Sequence, residues 1–355
     1  MDNELLLVIN PGSTSTKVAV FSMENTIFKI NIPHSIDELK EYKSIVEQYK
    51  FRKSAIIKTL EERNIDFEKI KYIAARGGLL KPIPSGVYKV NEEMVSDLKN
   101  CKFGEHASNL GAIIAFDLSK EYNIPAFIAD PVSVDEFTEL ARLTGLKEIK
   151  RKSLDHPLNV RAIIKKYCEE YGKNFNEICA VVAHMGGGIS VTAFKEGRII
   201  DVNNPNEGGP FSTTRAGTLP SIDIVEMCYS GKYDYKTLSS LLLTKAGLVS
   251  YLGTNDLRIA LKRIEEEDSY SKEVIEALCY QISKEIGAMA IALRKKPEVI
   301  ILTGGMSNSQ YVTDLIRERV SFLAPVKIYP GSDEMEALAY AALRVKNGED
   351  IAKSY

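Results

Sequence analysis

Apolar runs alternate with longer amphipathic segments along the chain, and this pattern predicts alternating strands and helices. In the first half, strands are predicted at 5–9, 18–21, 70–75 and 126–130, and helices at 36–63, 92–100 and 109–122. The alternation restarts near residue 178, with strands at 180–183, 190–194 and 299–303, long helices between 221 and 293, and a final helix at 334–346. Such alternation is typical of layered α/β proteins.

One motif occurs in both halves of the chain. LLLVINPGSTSTKVAVF and AVVAHMGGGISVTAF each read as an apolar strand, a turn rich in Gly, Ser or Thr, and a returning strand. Asn10 and His184 open the two turns and lie 174 positions apart. Because a unit repeated at a fixed offset is what gene duplication leaves behind, we predict a duplicated domain.

Length and charge narrow the possible classes of protein. A chain of 355 residues with 45% hydrophobic composition has enough apolar material for two cores. A formal charge of −2 provides no basic field for nucleic acid or an anionic membrane surface.

The N-terminal segment lacks the features of a signal peptide, and no apolar stretch approaches the roughly 20 residues of a membrane span. Five scattered cysteines without a CxxC pair argue against a disulfide framework or a zinc site. We therefore expect a cytoplasmic protein that binds neither nucleic acid nor membrane.

The two turns could hold phosphate, because small residues let backbone N–H groups approach an anion. A glycine-rich turn alone is equally compatible with a purely structural role, but two such turns at duplicate positions favour a nucleotide site. A third candidate loop, Gly304-Gly305-Met306, follows the apolar strand at 299–303 and is a possible adenosine site. The chain contains neither GxxxxGK[ST] nor a GxGxxG after its first strand, which excludes the Walker and dinucleotide-binding types.

These segments resemble the acetate kinase family. The strongest matches are N-P-G-S-T-S-T-K at 10–17 and H-M-G-G-G-I-S-V at 184–191. Further matches follow in the family's order: Arg76-Gly77-Gly78, His106 with Asn109-Leu110, Asp130, Glu207-Gly208 with Thr214-Arg215, Asp256-Leu257-Arg258, Gly304-Gly305 and Asp333-Glu334. The chain is shorter than most acetate kinases, and DPVSVDE at 130–136 and HPLN at 156–159 resemble the branch of the family that acts on butyrate.

The resemblance implies a duplicated actin-like (ribonuclease H-like) α/β fold with two lobes and a nucleotide cleft between them. We expect an N-terminal acyl and phosphate lobe at 1–151 plus the helix at 334–355, and a C-terminal nucleotide-binding lobe at 152–333. The implied reaction transfers the γ-phosphoryl group of ATP, with Mg²⁺, to the carboxylate of butyrate or isobutyrate. We also expect a homo-oligomer.

Residue roles follow from the same resemblance. The catalytic set is His184 and Arg215, which would stabilise the transferring phosphoryl group, together with Asp130, Arg76 and His106. The implied metal site comprises Asn10, Glu334 and Asp130. The implied nucleotide contacts are Asn10, Gly12, Ser13, Thr14, Lys17, Gly186, Gly187, Gly188, Asp256, Arg258, Gly304, Gly305 and Met306.

Several alternatives stay open at this stage. Arg76 directly precedes Gly77-Gly78, where acetate kinases have a histidine, so it replaces either that histidine or the substrate arginine found a few residues earlier. Glu336 competes with Glu334 for the metal role, and Lys17 could instead point to solvent. His156 is interpreted as structural. Isobutyrate, propionate or acetate could replace butyrate, because one methylene contributes only about 1–3 kcal/mol of discrimination. A more distant alternative is an actin-like ATP-binding scaffold without kinase activity.

Overall fold

The computed structural model describes residues 4–22, 25–331 and 333–355. The chain divides into two units, Met1–Val134 with Asp333–Tyr355, and Asp135–Ser332. Residues 1–3 of the predicted first domain lie outside the described residues. No helix in the described part of the chain is long and apolar enough to cross a membrane.

The predicted boundary at 151/152 differs from the boundary between the units, which follows Val134. Phe137 and Ala141 are buried in an apolar cluster with Val160 and Ile164 of the second unit. Arg151 donates hydrogen bonds to backbone carbonyls of the same unit. These contacts attach the segment 135–151 to the second unit.

A mixed sheet forms the centre of the first unit. Its strands are β1 (Leu5–Pro11), β2 (Ser15–Phe21), β3 (Thr26–Pro33), β4 (Ile70–Arg76), β5 (Val87–Lys89) and β6 (Ala126–Ala129), in the order β3-β2-β1-β4-β6-β5 among the described residues. β1 is antiparallel to β2 and parallel to β4, and β4 is parallel to β6. The parallel strands are almost completely buried, which explains their continuous apolar sequences.

The helices of the first unit are α1 (Ile36–Lys40), α2 (Tyr49–Glu62), α3 (Glu92–Lys99), α4 (Asn109–Tyr122) and α13 (Glu334–Lys346), with 3-10 turns at Val46–Gln48 and Phe67–Lys69. The single helix predicted over 36–63 is therefore wrong. Between α1 and α2, the amides of Lys43 and Ile45 donate to the carboxylates of Glu47 and Glu105, at 2.9 and 2.7 Å. These side-chain acceptors replace the helical carbonyls and interrupt the helix.

The second unit repeats the arrangement of the first. Its strands are β7 (Cys179–Met185), β8 (Ile189–Lys195), β9 (Arg198–Val202), β10 (Val299–Gly304) and β11 (Val326–Pro330), in the order β11-β10-β7-β8-β9. β7 and β8 form an antiparallel hairpin, and β10 is parallel to both β7 and β11. β7, β8, β9, β10 and β11 therefore correspond to β1, β2, β3, β4 and β6. The structure agrees with the predicted duplication.

The helices of the second unit are α5 (Glu139–Arg142), α6 (Pro157–Tyr171), α7 (Ser221–Tyr229), α8 (Tyr235–Thr244), α9 (Leu248–Leu252), α10 (Leu257–Glu265), α11 (Ser269–Ala292) and α12 (Gln310–Val320), with a 3-10 turn at Gly305–Asn308. Of those predicted between 221 and 293, only α11 is long. It packs along one face of the sheet, where Leu278, Ile282 and Ile286 are completely buried in the main apolar core of the unit.

Candidate active site

The two glycine-rich turns occupy equivalent places in the two sheets. The turn between β1 and β2 contains residues 12–14, and the turn between β7 and β8 contains residues 186–188. Asn10 is paired with Lys17 across the first hairpin, and His184 with Ser190 across the second. Directly opposed residues in an antiparallel pair share a face of the sheet, so Lys17 lies on the same face as Asn10.

Asn10 and Arg76 both contact Glu334 in the first unit. The Asn10 side-chain amide donates to Glu334 Oε2 at 2.8 Å, and Arg76 Nη1 lies 2.5 Å from Glu334 Oε1. Glu334 begins α13, so the last helix brings this carboxylate to the ends of β1 and β4. Glu336 instead pairs with Lys29 on β3. The geometry therefore favours Glu334 over Glu336 as the partner of Asn10.

Asp130 follows β6 and has a strained backbone. Its φ is 39°, in the left-handed region that a non-glycine residue seldom adopts. Two hydrogen bonds fix it: Oδ1 accepts from the Gly86 amide at 2.7 Å, and the Asp130 amide donates to the Gly86 carbonyl at 3.0 Å. The register pairs Arg76 with Ala129, so Asp130 directly follows the residue opposite Arg76. Strain of this kind is often found at functional positions.

His106 lies in the exposed loop before α4. Its Nδ1 accepts from the Ser108 amide at 3.2 Å and contacts Ser108 Oγ at 2.7 Å. Because a backbone amide can only donate, Nδ1 is the unprotonated nitrogen of the neutral ring and Nε2 carries the hydrogen. His106 can therefore present an N–H donor.

His184 is the penultimate residue of β7 and faces the second glycine turn. It is 8% exposed, and its Nδ1 lies 2.7 Å from Oδ1 of the buried Asn159. Since an amide oxygen accepts, Nδ1 carries a hydrogen. The opposite nitrogen, Nε2, is directed towards the turn, because it would lie 3.8 Å from a Cβ built on Gly186. Asn159 thus orients the ring so that Nε2 faces the loop.

A second imidazole packs on His184. The His156 and His184 ring centroids are 4.0 Å apart, and the rings are 12° from parallel. His156 Nδ1 contacts Ser190 Oγ at 2.9 Å. The neighbouring Asp155 is buried and accepts from Thr192 Oγ1 at 2.8 Å. The interpretation of His156 from sequence alone gave no sign of this stacking.

Arg215 packs against the same turn. A Cβ on Gly188 would lie 2.8 Å from Arg215 Cζ, so a larger residue there would displace the guanidinium from its present position. The Ser212 hydroxyl donates to the Gly187 carbonyl at 2.6 Å and accepts from the Arg215 amide at 3.1 Å, which attaches the segment 212–215 to the turn. Burial lowers the pKa of Arg215, although a guanidinium remains charged at neutral pH. His184 and Arg215 therefore converge on the turn at 186–188.

The third loop lies beside this turn. Thr303 of β10 is paired with His184. Gly304 has φ +87°, and a Cβ on it would lie 2.7 Å from the Met185 amide nitrogen. Glycine is therefore required both by the backbone conformation and by the close approach of β7. Gly305 and Met306 continue into the 3-10 turn, where Met306 is buried.

Asp256 and Arg258 form hydrogen bonds with each other at the start of α10. Asp256 Oδ1 accepts from the Arg258 amide at 2.9 Å and Oδ2 from Arg258 Nη2 at 2.6 Å. The Arg258 side chain is 89% exposed. Their predicted nucleotide contacts stay predictions.

The described residues contain no group of three or more His, Cys, Asp or Glu side chains placed to hold a metal ion. Asn10 and Glu334 contact each other, and the metal role of Asn10, Glu334 and Asp130 stays a prediction.

A mixed sheet that occurs twice, each time with its first hairpin closed by a small-residue turn, is the arrangement of the actin-like class of two-domain proteins. The chain belongs to the acetokinase family, whose model matches residues 151–335. It is 50% identical over 350 residues to the probable butyrate kinase 2 of Caldanaerobacter subterraneus subsp. tengcongensis, with 99% of each chain covered. It is 48% identical over 351 residues to butyrate kinase 2 of Clostridium acetobutylicum, again with 99% of each covered.

A solved structure supports the fold. The acetate kinase of Porphyromonas gingivalis superposes with a TM-score of 0.81, covering 97% of this chain and 100% of that one at 18% identity. At this identity the similarity concerns the fold alone. The actin-like fold predicted from the sequence is confirmed.

Proposed function

We propose that this protein catalyses ATP + butanoate ⇌ ADP + butanoyl phosphate. The full-length identity to two proteins named butyrate kinases supports this substrate. The observation that carries the reaction type is the convergence of His184 and Arg215 on the glycine turn at 186–188. A cation and an imidazole at a phosphate-type turn suit stabilisation of a transferring phosphoryl group.

In the proposed step, a carboxylate oxygen of butanoate attacks the γ-phosphorus of ATP, and the bond from that phosphorus to the ADP oxygen breaks. Butanoate is already ionised at neutral pH, so no general base is required. Arg215 and His184 Nε2 would contact the equatorial oxygens, where negative charge is concentrated. Asn159 would keep Nε2 directed at them by holding Nδ1.

Arg76 is the candidate group for the substrate carboxylate. One of its terminal nitrogens is paired with Glu334, but its buried Nε has no hydrogen-bond acceptor within the residues described. A guanidinium has five N–H donors in a planar fork, so it can bind a second carboxylate beside Glu334. His106 would add a neutral N–H donor, and Asp130 would act as the active-site carboxylate.

Asn10 and Glu334 fit a magnesium site, because amide and carboxylate oxygens are the hard ligands that Mg²⁺ takes from a protein. Glu334 would serve as the carboxylate ligand, and Asn10 would position it through the 2.8 Å hydrogen bond. When bound, Mg²⁺ would neutralise charge on the nucleotide phosphates. The proposed nucleotide contacts lie in the two hairpin turns, the third loop and the start of α10: Asn10, Gly12, Ser13, Thr14, Lys17, Gly186, Gly187, Gly188, Gly304, Gly305, Met306, Asp256 and Arg258. We also propose a cytoplasmic homo-oligomer.

A hydroxamate-trapping assay tests the function directly. The purified protein is incubated with ATP, Mg²⁺, hydroxylamine and each linear carboxylate from acetate to hexanoate, with isobutyrate added. We expect the highest kcat/KM with butanoate or isobutyrate. A maximum at acetate or propionate would reassign the substrate within the family. ATP binding without any acyl hydroxamate would instead support an ATP-binding protein that lacks kinase activity.

A further inference from the structure

Arg52 supports the first glycine turn from the inside of the first unit. It lies on α2, and its side chain is completely buried. Its Nη1 donates to the carbonyls of Gly12 and Ser15 at 2.7 and 3.0 Å, and its Nη2 donates to the carbonyl of Ser13 at 3.0 Å. One guanidinium therefore binds three backbone carbonyls at the turn between β1 and β2.

The other side chains that contact Arg52 are also uncharged. Nε and Nη2 donate to Gln48 Oε1 at 3.2 and 2.8 Å, and Nη1 lies 3.3 Å from Thr16 Oγ1. Within the described residues, no carboxylate forms an ion pair with this guanidinium. Burial lowers the pKa of Arg52 to about 10, so the group is charged at neutral pH. A buried charge without a counter-charge is costly. If the turn needed only hydrogen bonds to its carbonyls, a neutral donor would suffice.

The direction of the Gly12 and Ser13 carbonyls determines where the backbone amides of the next residues point. In a trans peptide, the carbonyl of one residue and the N–H of the next point in opposite directions, and the described chain contains no cis peptide bond. Because the carbonyls of Gly12 and Ser13 point inward to Arg52, the amides of Ser13 and Thr14 point outward. Ser13 and Thr14 are exposed. Outward amides in a small-residue turn form a concavity that binds anions.

We propose that Arg52 is a positioning residue for the nucleotide phosphates. It holds the turn at 12–15 with its amides facing outward, and it places behind the turn a positive charge whose counter-charge arrives with the phosphates of ATP. This inference rests on the proposed function for the nucleotide, and it adds a residue outside the family motifs.

The test compares ligands that differ in their number of phosphates. Calorimetry is used to measure binding of ATP, ADP and adenosine to the wild-type protein and to Arg52→Met. We expect the Kd of ATP to rise by at least roughly tenfold, that of ADP to rise less, and that of adenosine to change by less than about twofold, because only phosphates interact with the charge. In steady-state kinetics of Arg52→Met, kcat should fall by a smaller factor than the KM of ATP rises.

Arg161→Met is the matched control, because Arg161 also holds a hairpin turn, donating to the Gly197 carbonyl at 2.6 Å between β8 and β9. This variant should bind all three ligands as the wild type does. If Arg52→Met does not fold, Arg52→Gln replaces it, since Gln removes the charge and keeps side-chain N–H donors for the turn. A larger rise in the Kd of ATP than in that of adenosine for this variant would support the proposal.

Equal losses for ATP and adenosine, or unchanged ATP binding, would overturn the role of Arg52. Formation of acyl hydroxamate by the wild type would in that case leave the proposed function intact. A wild-type protein that binds ATP and forms no hydroxamate would instead contradict the function and leave the Arg52 comparison valid.

Discussion

The side chains of Asn10 and Glu334 are joined by a 2.8 Å hydrogen bond, although 324 positions separate them in the chain. The bond exists because α13 returns to the first unit and opens at the ends of β1 and β4, where Arg76 also contacts Glu334. The sequence motifs suggested this proximity only through the family resemblance. The geometry makes Glu334 the carboxylate to test for magnesium dependence.

Replacing Glu334 with Gln should raise the Mg²⁺ concentration required for half-maximal activity by roughly tenfold or more, because the proposed ligand would lose its charge. Glu336→Gln is the matched control, since Glu336 lies two positions away and pairs with Lys29. Activity is measured over a range of Mg²⁺ at saturating ATP, and Mn²⁺ binding is followed by electron paramagnetic resonance. Equal behaviour of the two variants would remove Glu334 from the metal site.

His184→Ala and Arg215→Ala should each lower kcat by roughly 10²–10³ while leaving the KM of ATP nearly unchanged, because both groups would act on charge that develops in the transition state. Lys17→Ala should instead raise the KM of ATP at least as much as it lowers kcat, because Lys17 is exposed beside the first turn. Steady-state kinetics with butanoate distinguish the two patterns. A near-normal kcat for Arg215→Ala would show that its guanidinium is only a loop residue.

The neighbouring glycines Gly187 and Gly188 allow a finer test. A Cβ on Gly188 would overlap the Arg215 guanidinium, whereas one on Gly187 would meet no described atom within 4 Å. Gly188→Ala should therefore lower kcat by at least roughly tenfold through displacement of Arg215. Gly187→Ala should act mainly on the KM of ATP, because its methyl group would occupy the open side of the turn. The same kinetic pattern in both variants would contradict the packing of Arg215 on Gly188.

The duplicated hairpins and the central strands could be predicted because β1, β7 and β10 are buried on both faces and are therefore apolar up to Asn10, His184 and Thr303 near their ends. β3, β5, β9 and β11 were missed, and all four lie at a sheet edge. β3 and β11 are also partly exposed, so their apolar residues do not form a continuous run. The interruption between α1 and α2 depends on Glu105, 60 positions from its partner Ile45. No local pattern reveals such a long-range acceptor.

The site was predictable only where a motif is contiguous in the chain. His184 and Arg215 were identified from their motifs, but Arg52 was missed because an arginine on an amphipathic helix usually indicates a solvent-exposed position. His156 was interpreted as structural, and its stacking on His184 depends on how α6 packs against β7. Burial and ring contacts of this kind are properties of tertiary structure.

Asp155 makes stability depend on pH. Burial raises its pKa above the ordinary value, against the opposing hydrogen bonds from Ser190, the His156 amide and Thr192. The folded state therefore retains this proton to higher pH than the unfolded state. Its contribution to stability is present below about pH 4 and is lost as pH rises towards the raised pKa.

In Asp155→Asn, this decline should disappear, so the free energy of unfolding relative to wild type should increase as pH rises above about 4. Urea unfolding between pH 4 and 8 provides the measurement, with the exposed Asp37→Asn as control. Parallel pH curves for wild type and Asp155→Asn would mean that Asp155 does not hold its proton in the folded state.

The central claim is that a carboxylate oxygen of butanoate attacks the γ-phosphorus of ATP. Butanoate labelled with ¹⁸O in both carboxylate positions is incubated with ATP, Mg²⁺ and the protein, and the products are observed by ³¹P nuclear magnetic resonance. We predict butanoyl phosphate whose phosphorus signal carries the isotope shift of one bonded ¹⁸O, formed together with an equal amount of ADP. An unshifted acyl phosphate signal, or ADP and inorganic phosphate without any acyl phosphate, would contradict the account.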